Sequence, residues 1–142
     1  MLQRFQSFVT GVTQCYKSIQ KIKATEMTEF GLKGTHVMCL FFLSQHPEGL
    51  TAAQLSQMCA EDKAAISRTL AVLQERDYIQ AGEKKYRAPL CLTPAGEELA
   101  RQMEDLIQHW VAFGGDDLSE EEREVFYRVL GKIAARLGEK TE

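Results

Sequence analysis

Long hydrophobic runs are missing from this sequence. The longest uninterrupted apolar stretch, Val37-Met38-Cys39-Leu40-Phe41-Phe42-Leu43, falls far short of the ~20 residues that cross a bilayer. The Met1 end lacks the apolar core of a signal peptide, so no membrane partner is expected and the cytoplasm is the expected compartment. Cysteine is sparse and poorly spaced for chelation. Cys15, Cys39, Cys59 and Cys91 form no CxxC or CxxxC pair, which excludes a zinc ribbon and a dense disulfide scaffold and leaves free thiols. His36 and Cys39 lie three apart on one expected helix but have no further ligand cluster beside them, so no metal is expected. Neither a phosphate-cradling glycine loop nor a Gly-x-Ser-x-Gly elbow occurs, and Ser67 has no motif-linked His and acid. The chain is therefore not expected to be an enzyme or to carry a cofactor.

What is present is an ordinary globular composition: 142 residues, 44% hydrophobic and 26% charged, enough for one compact domain with a substantial core. The net charge of -3 hides an asymmetry. Residues 1–40 carry five basic and two acidic groups, residues 61–92 six and five, and residues 93–142 six and twelve. A nucleic-acid contact must avoid the acidic C-terminal third.

Hydrophobic spacing sets out the elements. Leu2, Phe5, Phe8, Val9, Val12, Tyr16, Ile19 and Ile22 recur at three- and four-residue intervals and predict a long amphipathic first helix over 2–22. A connection containing Gly31 follows, and then a helix over 32–45 that is apolar almost all round and must be covered on several sides. Pro47-Glu48-Gly49 breaks it. Thr51-Ala52-Ala53-Gln54 is a capping box opening a short helix to Cys59. Asp62 caps the next, in which Ile66, Leu70 and Leu73 share the inward face up to Arg76-Asp77. Two helices across so short a turn have helix-turn-helix spacing. Residues 78–82 and 86–92 predict two strands with Glu83-Lys84-Lys85 at the tip, Pro89 requiring a free edge or a bulge in the second. Thr93-Pro94 opens a long helix bearing Leu99, Met103, Leu106, Ile107, Trp110 and Val111, which ends at Gly114-Gly115. Ser119-Glu120-Glu121-Glu122 is a second capping box, opening a helix with Val125, Phe126, Val129, Leu130, Ile133 and Leu137 as its stripe.

The fold class is thus mainly α with a small two-stranded wing: a winged helix-turn-helix at 31–93, flanked by helices over 1–30 and 94–142. The sequence resembles the MarR family of bacterial transcription regulators across essentially its whole length. The resemblance rests on Gly31-Leu32-Lys33-Gly34-Thr35-His36, Gly49-Leu50-Thr51 with Leu55, Asp62-Lys63-Ala64-Ala65-Ile66-Ser67-Arg68, and Leu92-Thr93-Pro94-Ala95-Gly96, in that order. It implies a single MarR-type domain over 1–142, with the flanking helices as dimerisation helices, and a repressor released by a small-molecule effector. Those helices also offer more hydrophobic face than the winged core can cover, which independently favours a homodimer that would present two reading helices to the half-sites of palindromic duplex DNA.

The candidate DNA-binding residues on the 62–77 helix are Lys63, Ala64, Ala65, Ser67, Arg68 and Thr69. Small side chains admit a helix to a groove floor, an alanine touches a thymine methyl, and arginine takes guanine O6 and N7 bidentately. Lys63 in the first turn opposes the helix dipole, as befits a residue facing phosphate. Lys84, Lys85 and Arg87 place three cations within four residues at the hairpin. The wing departs from its family here. Counting eight residues back from Leu92 puts Lys84 and Tyr86 where the Asp and Arg of the usual Asp-x-Arg motif stand, with Arg87 one residue late. Tyr16, His36, Met38, Phe42 and Trp110 are the candidates for an aromatic or phenolic effector site. The resemblance makes Cys15 the candidate redox residue, since some peroxide-sensing members of the family carry their reactive cysteine at this place in the first helix. A winged helix also serves as a protein-interaction module without specific DNA binding, and a local charge of only +1 over 61–92 keeps that alternative.

Overall fold

The computed structural model describes residues 1–82 and 88–141. Six α-helices and a two-stranded sheet occur among them: α1 Leu2–Glu26, α2 Gly34–Ser44, α3 Ala52–Cys59, α4 Lys63–Glu75, β1 Ile79–Ala81, β2 Leu90–Leu92, α5 Pro94–Gly114 and α6 Glu120–Gly138. A single 3-10 turn, Thr28–Phe30, joins α1 to α2. None of the helices among the described residues is long and apolar enough to cross a membrane. The chain divides into two compact units, Met1–Glu104 and Asp105–Glu142, so that α5 contributes to both.

The first unit is built around α2. His36, Val37, Cys39, Leu40 and Leu43 are buried and no residue of the helix is fully exposed, as its nearly unbroken apolar wheel requires. Leu55 of α3, Ile66, Leu70 and Leu73 of α4, Ile79 and Leu90 of the strands, and Leu99, Ala100 and Met103 of α5 complete the same core. Met27 and Leu32, on either side of the 3-10 turn, are buried as well and fasten the end of α1 to the unit. The first helix is therefore longer than its stripe suggests, running to Glu26 because no breaker intervenes before Gly31.

Side-chain caps fix the helix starts. Thr51 Oγ1 accepts from the Gln54 amide at 3.2 Å while Gln54 Oε1 accepts from the Thr51 amide at 2.9 Å. Asp62 Oδ1 accepts from the Ala65 amide at 2.7 Å. Ser119 and Glu122 repeat the reciprocal box at α6.

β1 and β2 run antiparallel with Ile79 opposite Leu92 and Ala81 opposite Leu90. The second strand is shorter than the alternation suggests, starting after Pro89, whose carbonyl accepts from the Gly82 amide at 2.9 Å. Its other edge is not free. Leu90 and Leu50 exchange backbone hydrogen bonds of 3.0 and 2.8 Å, a bridge that ties the base of the wing to the chain entering α3. Gly49, at φ 90, makes this approach possible, because a Cβ there would lie 2.8 Å from both Pro89 Cβ and Cys91 Sγ.

On α1 the stripe Leu2, Phe5, Val9, Val12, Tyr16 and Ile19 is exposed, and so are Val125, Phe126, Val129, Leu130 and Leu137 of α6. Neither helix buries a single residue fully.

Candidate nucleic-acid interface

The turn between α3 and α4 is three residues long, Ala60 to Asp62, and its geometry is locally determined. Ala60 takes the left-handed conformation (φ 52), Ser56 Oγ donates to the Glu61 carbonyl at 2.5 Å, and Asp62 caps α4. The other end of α4 is held by Arg76, whose guanidinium donates to the Gly31 carbonyl at 2.8 Å. Nothing in local spacing pairs residues 31 and 76, and this anchor escaped the sequence reading.

Between these two anchors α4 presents two faces. Ile66, Thr69, Leu70 and Leu73 point inward. Lys63, Ala64, Ser67, Arg68, Ala71 and Glu75 are exposed, and Ala65 is half-buried at the margin. Thr69 departs from the expected reading set: it is only 5% exposed, too little to reach a base. On a helix of 3.6 residues per turn it sits ~60° from Ile66, inside the apolar arc. Lys63 and Arg68 make no hydrogen bond or ion pair among the described residues, so both cations are available to a ligand. Lys84, Lys85 and Arg87, the expected wing cations, lie outside the described residues.

A cavity of ≈ 290 Å³ opens between α1, the start of α2 and the end of α3. It brings Tyr16 and Met38 together with Gln20, Lys23, Thr35 and Cys59. His36 and Phe42 do not line it. Phe42 packs against Phe41 with ring centroids 5.6 Å apart, and Trp110 belongs to the second unit, edge-on to His109 and Phe113. His36 instead caps α2, its Nδ1 accepting from the Lys33 amide at 3.2 Å. Burial, then the nearby Arg76 and Lys33 cations, hold its pKa below the ordinary histidine value, so the ring is neutral with its proton on Nε2. Cys15 is exposed on α1. Among the described residues no group of three or more His, Cys, Asp or Glu side chains is placed to hold a metal ion.

Comparison with known proteins bears on this geometry. Residues 30–85 match the family model described as MarR family. No curated protein matches the sequence closely enough to count as a relative. Among solved structures, the chain is similar to a MarR/EmrR family transcriptional regulator from Acinetobacter sp. ADP1, with TM-score 0.82 and 21% identity over 94% of this chain and 96% of that one. It is similar to Staphylococcus aureus MepR in a DNA complex, with TM-score 0.78 and 19% identity over 92% and 97% of the two chains. A third similar structure is a Mycobacterium tuberculosis MarR family protein in complex with p-aminosalicylic acid, with TM-score 0.68 and 23% identity over 87% and 95%. Residues 30–85 thus match the MarR family, and the chain has the fold of these solved transcriptional regulators.

Proposed function

We propose that this chain is a sequence-specific duplex-DNA-binding transcriptional regulator, acting in the cytoplasm as a homodimeric repressor on palindromic sites. The observation that carries the reading is the exposed face of α4: small residues at Ala64, Ser67 and Ala71 around Arg68, which is unpaired among the described residues, on a helix capped at one end by Asp62 and anchored at the other by Arg76. Such a face approaches a major-groove floor closely and carries one bidentate donor for guanine. The similarity to MepR in its DNA complex supports the same orientation of use. Dimerisation is supported by the exposed apolar stripes on α1 and α6, which a single copy leaves in water.

Release by an aromatic or phenolic acid is the regulatory reading, with Tyr16 and Met38 as the contacts in the cavity beside α1 and Lys23 as the cation for the acid group. The p-aminosalicylic acid complex of a similar fold supports that ligand class. Selection of bound sequences from a random duplex pool tests the proposal. A palindrome with half-sites about one helical turn apart is expected. Failure to enrich any sequence, with no salt dependence of binding, would favour a protein-interaction module instead.

A further inference from the structure

α2 and the last residue of α3 bring two thiols together that are twenty residues apart in sequence: Cys39 Sγ and Cys59 Sγ are separated by 3.8 Å. Their surroundings differ. Cys39 is completely buried, whereas Cys59 is half-buried and lines the ≈ 290 Å³ cavity with Lys23 and Glu61. With no third ligand nearby among the described residues, the pair does not make a metal site.

We propose that Cys59 and Cys39 form a hydroperoxide-reactive dithiol site, in which Cys59 is attacked from the cavity side and Cys39 resolves the product as a disulfide. The asymmetry of the pair assigns these roles. The contact between the two sulfurs lowers the pKa of Cys59, the residue that faces the cavity, and the Lys23 cation acts in the same direction against burial and Glu61. The same contact, and then burial, push the Cys39 thiol far up, which suits the completely buried residue to the resolving role.

The chemistry balances. The Cys59 thiolate attacks the distal oxygen of a small hydroperoxide; the O–O bond breaks, an alcohol or water leaves after taking up the thiol proton, and Cys59 becomes a sulfenic acid. The Cys39 sulfur then attacks the Cys59 sulfur, an S–S bond forms, and the hydroxyl leaves with the Cys39 proton as water. Two electrons pass from the thiol pair to the peroxide. The sulfurs must close from 3.8 Å to ~2.05 Å. Cys59 directly precedes the Ala60 turn and the Asp62 cap, so this closure pulls on the segment that positions α4. That consequence, a several-fold change in DNA affinity, rests on the DNA-binding reading above.

The test uses the full chain, reduced, treated with about one equivalent of hydrogen peroxide, and alkylated before peptide mapping. A bridged peptide joining positions 39 and 59 is expected, lighter by two hydrogens, with Cys15 and Cys91 alkylated. Cys39→Ala should stop at a dimedone-trapped sulfenic acid on Cys59, and Cys59→Ser should abolish the bridge. Oxidation of Cys15 while Cys39 and Cys59 stay alkylated would overturn the proposal, as would absence of the dimedone adduct in a folded Cys39→Ala protein. Equal affinity of reduced and bridged forms for a selected duplex would overturn the coupling to α4. A reduced protein that binds no duplex would remove the DNA reading alone, the peptide map still deciding the dithiol.

Discussion

Gly96, in the first turn of α5, lies directly against the carbonyl of Tyr78, and a Cβ at position 96 would collide with that backbone oxygen. The contact is part of a joint between the end of the helix-turn-helix and the helix that follows the wing. Thr93 completes it: its hydroxyl donates to the Asp77 carbonyl at 2.5 Å and accepts from the Gly96 amide at 3.0 Å, while its amide donates to the Tyr78 carbonyl at 3.0 Å. A buried threonine and a glycine three residues later therefore fix where α5 starts relative to α4.

Gly96→Ala should destabilise the protein by roughly 3 kcal/mol, because the clash is with backbone and relief requires α5 to shift, and this outweighs the ~1 kcal/mol helix-propensity gain of alanine. Urea denaturation of the variant checks this. A midpoint equal to or above the parent's would show that α5 moves away at little cost.

Much of this joint was legible. Thr93-Pro94 announced a helix start, as did Thr51, Asp62 and Ser119, because a cap is a local event in which a side chain reaches an amide two or three residues away. The uniform burial of α2 followed from its wheel in the same way. The Leu50–Leu90 bridge, the Arg76–Gly31 anchor and the Cys39–Cys59 pair were not legible, since each joins residues far apart in sequence whose meeting depends on how helices cross. Thr69 is a different case. Its place on the wheel, ~40° from Leu73 and ~60° from Ile66, marked it as inward, and its polar side chain and closeness to Arg68 hid this. Of the aromatic residues expected to hold an effector, only Tyr16 lines the cavity: it opens at the start of α2, beside Gly34, Thr35 and Met38, with Phe42 one turn further along the helix and His36 ~160° round it from Met38.

Acid should weaken the fold through His36. Its folded pKa is below the ~6.5 of an unfolded histidine, so the unfolded chain takes up a proton at higher pH than the folded one. The stability carried by the neutral ring is therefore present above ~6.5 and is lost as pH falls toward the folded value. Urea midpoints at about pH 7.5 and about pH 5.5 should differ more for the parent than for His36→Gln, whose amide oxygen still accepts from the Lys33 amide. Identical pH dependence in the two proteins would show that His36 does not carry the effect.

Arg68→Ala should cost about 1 to 3 kcal/mol of binding to a selected duplex and relax preference at one position per half-site, the size of a bidentate base contact. Folding should not change, since Arg68 is exposed and makes no contact to lose among the described residues. Thr69→Val is the control: as a buried position it should leave base preference as it was. A loss of specificity in Thr69→Val equal to that of Arg68→Ala would mean that α4 docks through another face.

Removing the charges at Lys84, Lys85 and Arg87 together should weaken binding to all duplexes alike and make the plot of log K against log salt shallower, by up to about two or three units per wing. Titrations at several salt concentrations measure it. An unchanged slope would mean that these cations are not at phosphates, and that α4 alone meets the DNA.

The cavity beside α1 offers the most direct test of effector control. Ala24 lies at its rim yet is itself exposed, so Ala24→Trp adds bulk to the opening without disturbing the buried core of α2. A ligand shifts a two-state equilibrium only by its difference in affinity for the two states, so obstructing its site should leave DNA affinity in the absence of ligand near the parent's. What should change is the concentration of salicylate needed to release DNA, which should rise by about tenfold or more, equivalent to ~1.4 kcal/mol or more of lost ligand binding. Tyr16→Ala should move it in the same direction by removing an aromatic wall. If both variants release DNA at the parent's salicylate concentration, the ligand sits elsewhere; if the parent is not released by salicylate at all, the aromatic-acid class is wrong, whatever the fate of the DNA-binding reading.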